Sequence, residues 1–334
     1  MSRRVTITDV AAEAGVSVAT VSKVINGRDG IAASTVSHVQ SVVERLGYES
    51  SLVARGMRTQ RTHAIGVLVA EFEPFSTEIL KGAGAAVAGS GYAVLAYTDA
   101  DAGPEGWERR YLSRLGGTLI DGAVLVTPTL SSPVGAFPVV AVDPHAGPGV
   151  MPTVDSDNLA GAMLGVQHLL DLGHRRIGFL GGRRDLESSA LREAGYVQAL
   201  FDAGIAPDPA LMHVAEYRRD AAEAATATML ALADPPTAVF AANDVSAMGI
   251  LDAAARLGVR VPDELSVVGF DDIPESASTV PALTTVRQEI QELGATAVRL
   301  LLGLLDGTRA AEPTPHERLA TRLVVRASTA PPRR

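Results

Sequence analysis

The 334-residue sequence contains no cysteine. Disulfides, zinc–thiolate sites and cysteine nucleophiles are therefore excluded. No run of about 18 uncharged apolar residues occurs, so no transmembrane helix is expected. The opening MSRRVTITDV has a basic start but neither an apolar core nor a small-residue cleavage site, unlike a secretory signal. A cytoplasmic protein is expected. Signatures of catalysis are also missing: there is no G-x-x-x-x-G-K-[ST] loop, no G-x-S-x-G elbow and no H-E-x-x-H pair. KGAGAAVAGSG (81–91) suggests a dinucleotide loop, but Val87 stands where the third glycine belongs and no strand immediately precedes it. It reads as a small-residue helix packed on a sheet. His168 and His174 are six residues apart, too far for one helical face of a metal site. No enzyme, cofactor or metal is expected.

What is present is length for two or three domains and a hydrophobic content of 47% to fill their cores. Charge is unevenly placed. Residues 1–61 carry eight Lys/Arg against five acids, whereas the remainder carries 21 against 33. A basic head on an acidic body fits a head that meets a polyanion. Chance clustering is the bland alternative.

The head explains itself locally. Thr6 and Asp9 have the spacing of a capping box, and Ile7, Val10, Ala11 and Ala14 then share one helical face. Gly15 is placed to end that helix in the left-handed conformation. Ser17 can cap a second helix from Val18, with Val21, Val24 and Ile25 inward and Gly27 at its end. A third helix is expected from about Ser34 to Leu46, closed by Gly47, with Val36, Val39, Val42, Val43 and Leu46 as its stripe. Two short helices around a three-residue turn make a helix-turn-helix, whose second helix enters the major groove. A helical hairpin without a ligand would share this spacing. On the DNA reading, the outward residues are Val18, Ala19, Thr20, Ser22, Lys23 and Asn26. Lys23 can meet a guanine edge or a phosphate, and Val18 and Ala19 can meet thymine methyls. Ser17, Thr20, Ser22 and Asn26 suit phosphate oxygens. Thr6 completes the expected DNA-facing set.

TITDVAAEAGVSVATVSKVING closely resembles the head of the LacI-type (lac repressor) family of bacterial transcription regulators. The resemblance continues through VERLGYESSLVARGMRTQRTHAIGVLV, HLLDLGHRRIGFLGG, AVFAANDVSAMGILDAAARLGVRVPDELSVVGFDD and PALTTVRQEIQELGATAVRLLL, in that order. It implies a headpiece over 1–49 and a hinge helix over 50–61 that folds on DNA and pairs with its copy. Ala54, Arg55 and Met57 match the hinge's DNA-contacting positions, Met57 as an apolar wedge in the minor groove. Two departures stand out: Glu49-Ser50-Ser51 replaces a Pro-Asn type entry, and Gly56 sits where a better helix former is common.

From Ile65 the pattern alternates. IGVLV (65–69), YAVLAY (92–97), GAVLV (122–126) and VVAV (139–142) read as strands buried on both faces of a parallel sheet. A second series comprises IGFLGG (177–182), TAVFAAND (237–244) and LSVVGFDD (265–272). With the intervening helical patterns they predict a doubly wound α/β body of two lobes. The resemblance places an N-lobe over about 62–157 and 288–327 and a C-lobe over about 158–287. The last helix (about 289–305) and the strand RLVVR (322–326) are thereby expected to return to the first lobe.

Ligands of such sheets sit beyond the carboxyl ends of the strands. This directs attention to Phe72 and Phe75, Asp143 and His145, Arg183 to Ser188, Asn243 and Asp244, and Asp271 and Asp272. Asn243 could instead serve only as a helix cap, and Arg192 could be a solvated arginine. By resemblance, Arg192, Asn243 and Asp271 match effector-contacting positions, while Phe75 and Tyr217 occupy roughly the aromatic ones. The expected effector-binding set is Phe75, Ser188, Arg192, Tyr217, Asn243 and Asp271.

The resemblance thus implies a homodimeric repressor of carbohydrate-utilisation genes on a pseudo-palindromic operator, with a body over 62–334 that takes a sugar or oligosaccharide inducer. A xylo- or cello-oligosaccharide is one guess. A purine-responsive, co-repressed regulator is the nearer alternative; a sugar-binding protein without a DNA role is the more distant one. ASTAPPRR is no leucine-heptad tail, so a dimer is favoured over a tetramer.

Ordering a helix on DNA costs conformational entropy, and Gly56 raises that cost by about 1 kcal/mol relative to alanine. Gly56→Ala should tighten operator binding by up to roughly 2 kcal/mol in a dimer, about thirtyfold, and blunt induction. Titration of one operator duplex checks this; weaker binding by the variant would mean that close packing, not entropy, demands glycine there.

Overall fold

The computed structural model describes residues 5–25, 29–48, 61–98, 106–132, 137–310 and 314–333. The expectations for Asn26, Gly27, Ala54, Arg55, Gly56 and Met57, and for the hinge as a helix, lie outside the described residues.

The small N-terminal unit holds α1 (Ile7–Ala14), α2 (Val18–Ile25) and α3 (Ala33–Leu46). The capping box forms: Thr6 N–H donates to Asp9 Oδ2 at 2.8 Å and Asp9 N–H to Thr6 Oγ1 at 3.3 Å. Gly15 (φ 64°) and Gly47 (φ 60°) end their helices in the left-handed region, where a side chain would be strained. Val10, Val21, Val39 and Val42 are completely buried and form the centre of a small aliphatic core.

The large unit comprises His63–Gly116 and Ile120–Arg334 and has two lobes. The first contains β1 (Ala64–Leu68), α4 (Pro74–Ala86), β2 (Ala93–Tyr97), α5 (Trp107–Leu115), β3 (Gly122–Val126), β4 (Val139–Val142) and β5 (Thr153–Ser156). The second contains α6 (Asn158–Asp171), β6 (Ile177–Gly181), α7 (Glu187–Asp202), β7 (Met212–Val214), α8 (Arg219–Leu230), β8 (Ala238–Ala241), α9 (Asp244–Leu257), β9 (Ser266–Asp271) and β10 (Thr284–Arg287). The chain then passes through α10 (Ile290–Asp306), β11 (His316–Leu319) and β12 (Arg322–Val324).

The first sheet runs β11-β5-β4-β3-β1-β2, all parallel. The second runs β12-β10-β9-β8-β6-β7, parallel except for β12. The apolar runs of β1, β3, β4, β6 and β8 are buried throughout. YAVLAY departs from expectation: β2 is an edge strand and is partly exposed.

The C-terminal expectation needs correction. α10 does pack into the first lobe, burying Ile290, Leu293, Val298 and Leu301. RLVVR does not follow it. β12 pairs antiparallel with β10 in the second sheet, with Val286 opposite Leu323. The tail stays there: Val267 N–H donates to Ser328 O, and Ser328 Oγ donates to Val267 O at 2.6 Å. The strand that returns to the first sheet is the polar β11, held by Arg318 through two 2.9 Å hydrogen bonds to Asp155. The first-lobe segment therefore ends near 319 rather than 327.

The small residues of KGAGAAVAGSG meet a helix rather than a sheet. A Cβ added at Gly82 would lie 1.8 Å from Gln291 O, and one at Gly294 would lie 2.2 Å from Ile79 O, so α4 and α10 touch backbone to backbone. A Cβ at Gly84 meets nothing within 4 Å. Gly82→Ala should therefore cost about 1–3 kcal/mol through overpacking, while Gly84→Ala should be neutral or stabilising by up to about 1 kcal/mol. Thermal melts of both variants check this; an equal melting temperature would mean the helices can separate without cost.

Candidate DNA-reading helix and effector cleft

On the outer surface of the head, Thr6, Ser17, Val18, Ala19 and Lys23 are exposed, while Thr20 and Ser22 are half-buried. α2 thus presents a face of small residues with one flexible cation. Ser17 starts this helix by accepting from Thr20 N–H at 3.1 Å, and its hydroxyl lies 2.9 Å from Thr20 Oγ1. Thr6 Oγ1 donates to Asp9 Oδ2 at 2.6 Å. Ser17, Thr20 and Thr6 therefore hold the local backbone as well as facing outward.

In the body, Phe75, Ser188, Arg192, Tyr217, Asn243 and Asp271 line one cavity of about 820 Å³. The first lobe contributes Phe75, Glu71, Glu73, Thr127 and Asp143; the other five expected residues come from the second. Phe75 is set by the start of α4, where Glu73 accepts from Phe75 N–H at 2.6 Å and Ser76 N–H at 2.8 Å. Ser188 and Arg192 stand one turn apart on α7. Asn243 is both cap and lining: its Oδ1 accepts from Ser246 N–H at 2.9 Å, which leaves its amide nitrogen as the donor end.

Arg192 is not a solvated arginine; it is 4% exposed. Nε donates to Asn158 Oδ1 at 2.9 Å and Nη1 to Ala242 O at 2.5 Å, with Asp271 Oδ1 at 3.3 Å. Its guanidinium lies 3.9 Å from the centre of the Phe270 ring, an attraction that strengthens on desolvation. Gln288 Nε2 donates to Asp271 Oδ1 at 2.7 Å from the other side.

Two buried carboxylates, Asp271 and, from the other lobe, Asp143, feel the charge of Arg192. Burial pushes Asp271 up to about 7, against the pull of Arg192 and Gln288. Burial pushes Asp143 up to about 6, with Arg192 opposing and Asp155 adding repulsion. Asp272 differs: burial would raise it, but hydrogen bonds from Arg326 and Arg287 outweigh burial and hold it low. It therefore braces the tail strand rather than lining the cleft.

Backbone strain collects here as well. Among the described residues, seven non-glycine residues have positive φ, and five of these (Thr127, Asp143, Glu216, Tyr217 and Asp271) line the cavity. Such strain persists only where the surroundings over-determine it, commonly at functional sites. In the sequence only its position after β4 points to Asp143, and nothing there ranks it. Gln288 was missed because the polar β10 before it gave no strand signal. Phe72 is 54% exposed and does not line the cavity. No group of three acidic, histidine or cysteine side chains among the described residues could hold a metal, and no described helix is long and apolar enough to cross a membrane.

A helix-turn-helix joined to a two-lobed body with a polar cleft defines a DNA-binding transcriptional regulator. Comparison with known proteins agrees. Residues 6–51 match the family of bacterial regulatory proteins, lacI family, and residues 166–329 match the periplasmic binding protein-like domain. The HTH-type transcriptional repressor CytR of Escherichia coli (strain K12) is 34% identical over 90% of each chain. A transcriptional regulator CelR–cellobiose complex is 32% identical over 97% of this chain and 100% of that one, with TM-score 0.73. The lac repressor dimer bound to operator and the anti-inducer ONPF is 28% identical over 98% and 100%, with TM-score 0.85. The chain belongs to the lacI family of bacterial regulatory proteins.

Lys23→Ala should weaken operator binding and lower the log–log salt slope by about one unit, the loss of one phosphate contact. Binding measured at several salt concentrations checks this; an unchanged slope would move Lys23 off the DNA.

Proposed function

We propose that the protein is a homodimeric repressor of carbohydrate-utilisation genes, and that a neutral sugar or oligosaccharide bound between the lobes releases it from a pseudo-palindromic operator. It acts in the cytoplasm and catalyses no reaction. The observation that carries this reading is the composition of the cleft floor. Asp143 and Asp271 offer acceptors from opposite lobes, and the buried Arg192 is already engaged by Asn158, Ala242 and Asp271. Such a floor receives hydroxyl donors. Phe75 and Tyr217 supply aromatic surface for apolar sugar faces. The cellobiose held by the CelR relative is a ligand of this neutral, hydroxyl-rich kind.

A ligand that touches both lobes favours one angle between them. If operator binding needs a different angle, ligand and operator weaken each other by the same factor. Two copies of the head would meet two half-sites related by the same two-fold axis.

The test uses full-length protein, an operator duplex and a panel of neutral oligosaccharides, including cellobiose, set beside purines and pyrimidines. An oligosaccharide should raise the melting temperature and release the duplex. Arg192→Lys and Asp271→Asn should keep operator affinity within about threefold and lose most of the response, since a planar fork and an acceptor are each removed. Stabilisation by a nucleobase alone, or full response in both variants, overturns the assignment.

A further inference from the structure

Tyr217 reaches the cleft by way of a strained turn. After β7, Ala215 N–H donates to Gly181 O at 2.8 Å, which pins the chain to the end of β6. Arg218 N–H then donates to Ala215 O at 2.8 Å and closes a turn around Glu216 and Tyr217. These two central residues have φ 52° and 62°, the sign pattern of a type I′ turn, which favours glycine, asparagine or aspartate. A bulky aromatic residue there is costly and persists only where its surroundings over-determine it. The contact that fixes it is at Gly182, the residue just after β6. A Cβ added to Gly182 would lie 2.1 Å from Tyr217 Cζ and 2.3 Å from Cε1, and the three nearest atoms that it would meet all belong to this ring. Gly182 itself has no positive φ, so its backbone would accept a side chain. The guanidinium carbon of Arg192 lies 5.8 Å from the ring centre, within cation–π reach.

We propose that Gly182 is a positioning residue for effector recognition: the absence of a side chain there seats the Tyr217 ring on the end of β6 and so fixes it as a wall of the cleft.

The ring packs partly against the second-lobe core that includes Phe179, Phe240 and Phe270, and it lines the cavity. A wall already fixed in place costs no side-chain ordering when a ligand arrives. A methyl group at Gly182 overpacks this seat. The atoms it meets are the far end of a side chain, so the ring moves rather than the strand. The free space beside the ring is the cavity, and a displaced ring takes that room from the ligand. What meets the wall is the apolar face of a sugar on the function proposed above, and the role of Gly182 rests on that reading for the ligand alone.

Thermal melts of the ligand-free, full-length protein form one arm of the test. Gly182→Ala should lower the melting temperature by a few degrees. In a Tyr217→Ala background the same substitution should cost nothing, since the methyl enters space that the ring has left. Sugar titrations form the second arm, with cellobiose and the oligosaccharide panel as probes and release of the operator duplex as readout. For a sugar that releases the wild type, Gly182→Ala should need roughly tenfold more for half-release. Tyr217→Ala should also weaken the response, and adding Gly182→Ala to it should weaken it no further. A glycine with a merely structural role would lower the melting temperature and leave the half-release concentration where it was. Additive losses in the melts, or an unchanged half-release concentration in Gly182→Ala, overturns the proposal. If Gly182→Ala alone does not fold, folding of the double variant supports the seat and its failure to fold overturns it. A wild type that answers to no sugar refutes the sugar reading, and the melts then decide the seat by themselves.

Discussion

The second lobe is organised around one buried guanidinium. Arg192 joins α6 through Asn158, the end of β8 through Ala242, and the end of β9 through Asp271. A charge this deep costs several kcal/mol of desolvation and persists only when hydrogen bonds and counter-charge offset that cost. Every partner of Arg192 is therefore constrained in turn. Asp271 is held by Gln288 as well and adopts φ 113°. The Phe270 ring lies under the guanidinium and also blocks any side chain at Gly161. Removing one member of a buried ion pair such as Arg192–Asp271 costs about 3–5 kcal/mol.

Around that floor the two lobes contribute unequally. The second supplies Arg192, Asp271, Asn243 and Tyr217; the first supplies Asp143 and Phe75. A ligand held by both sets touches both lobes at once. The loop after β4 also joins the two lobes beside the cleft, where Glu187 N–H donates to His145 O at 2.9 Å. A ligand shifts the population of lobe angles only through its differential affinity for the two arrangements.

Much of this was legible in sequence, and the exceptions have physical reasons. The head was readable because caps are local: Thr6 with Asp9, and Gly15, act within one turn. β1, β3 and β4 were readable because strands covered on both faces are continuously apolar. TVDS, MHV, TTVR and HERL were not, since short polar strands are defined by their partners. RLVVR was recognised as a strand but given to the wrong sheet, because periodicity says nothing about pairing. In the cleft, the carboxyl-end rule led to Asn243 and Asp271, and the resemblance led to Arg192. Rules of that kind cannot rank Asp143, whose role comes from facing the other lobe. Nor could sequence show that Asp272 turns away to Arg326 and Arg287.

On the proposed function, cleft and operator are linked through the angle between the lobes. The most direct measurement is the affinity of the full-length protein for a neutral oligosaccharide that stabilises it, determined free and again saturated with operator duplex. The account predicts weaker sugar binding on DNA, by the same factor by which the sugar weakens operator binding. Equal sugar affinity in the two states would contradict it.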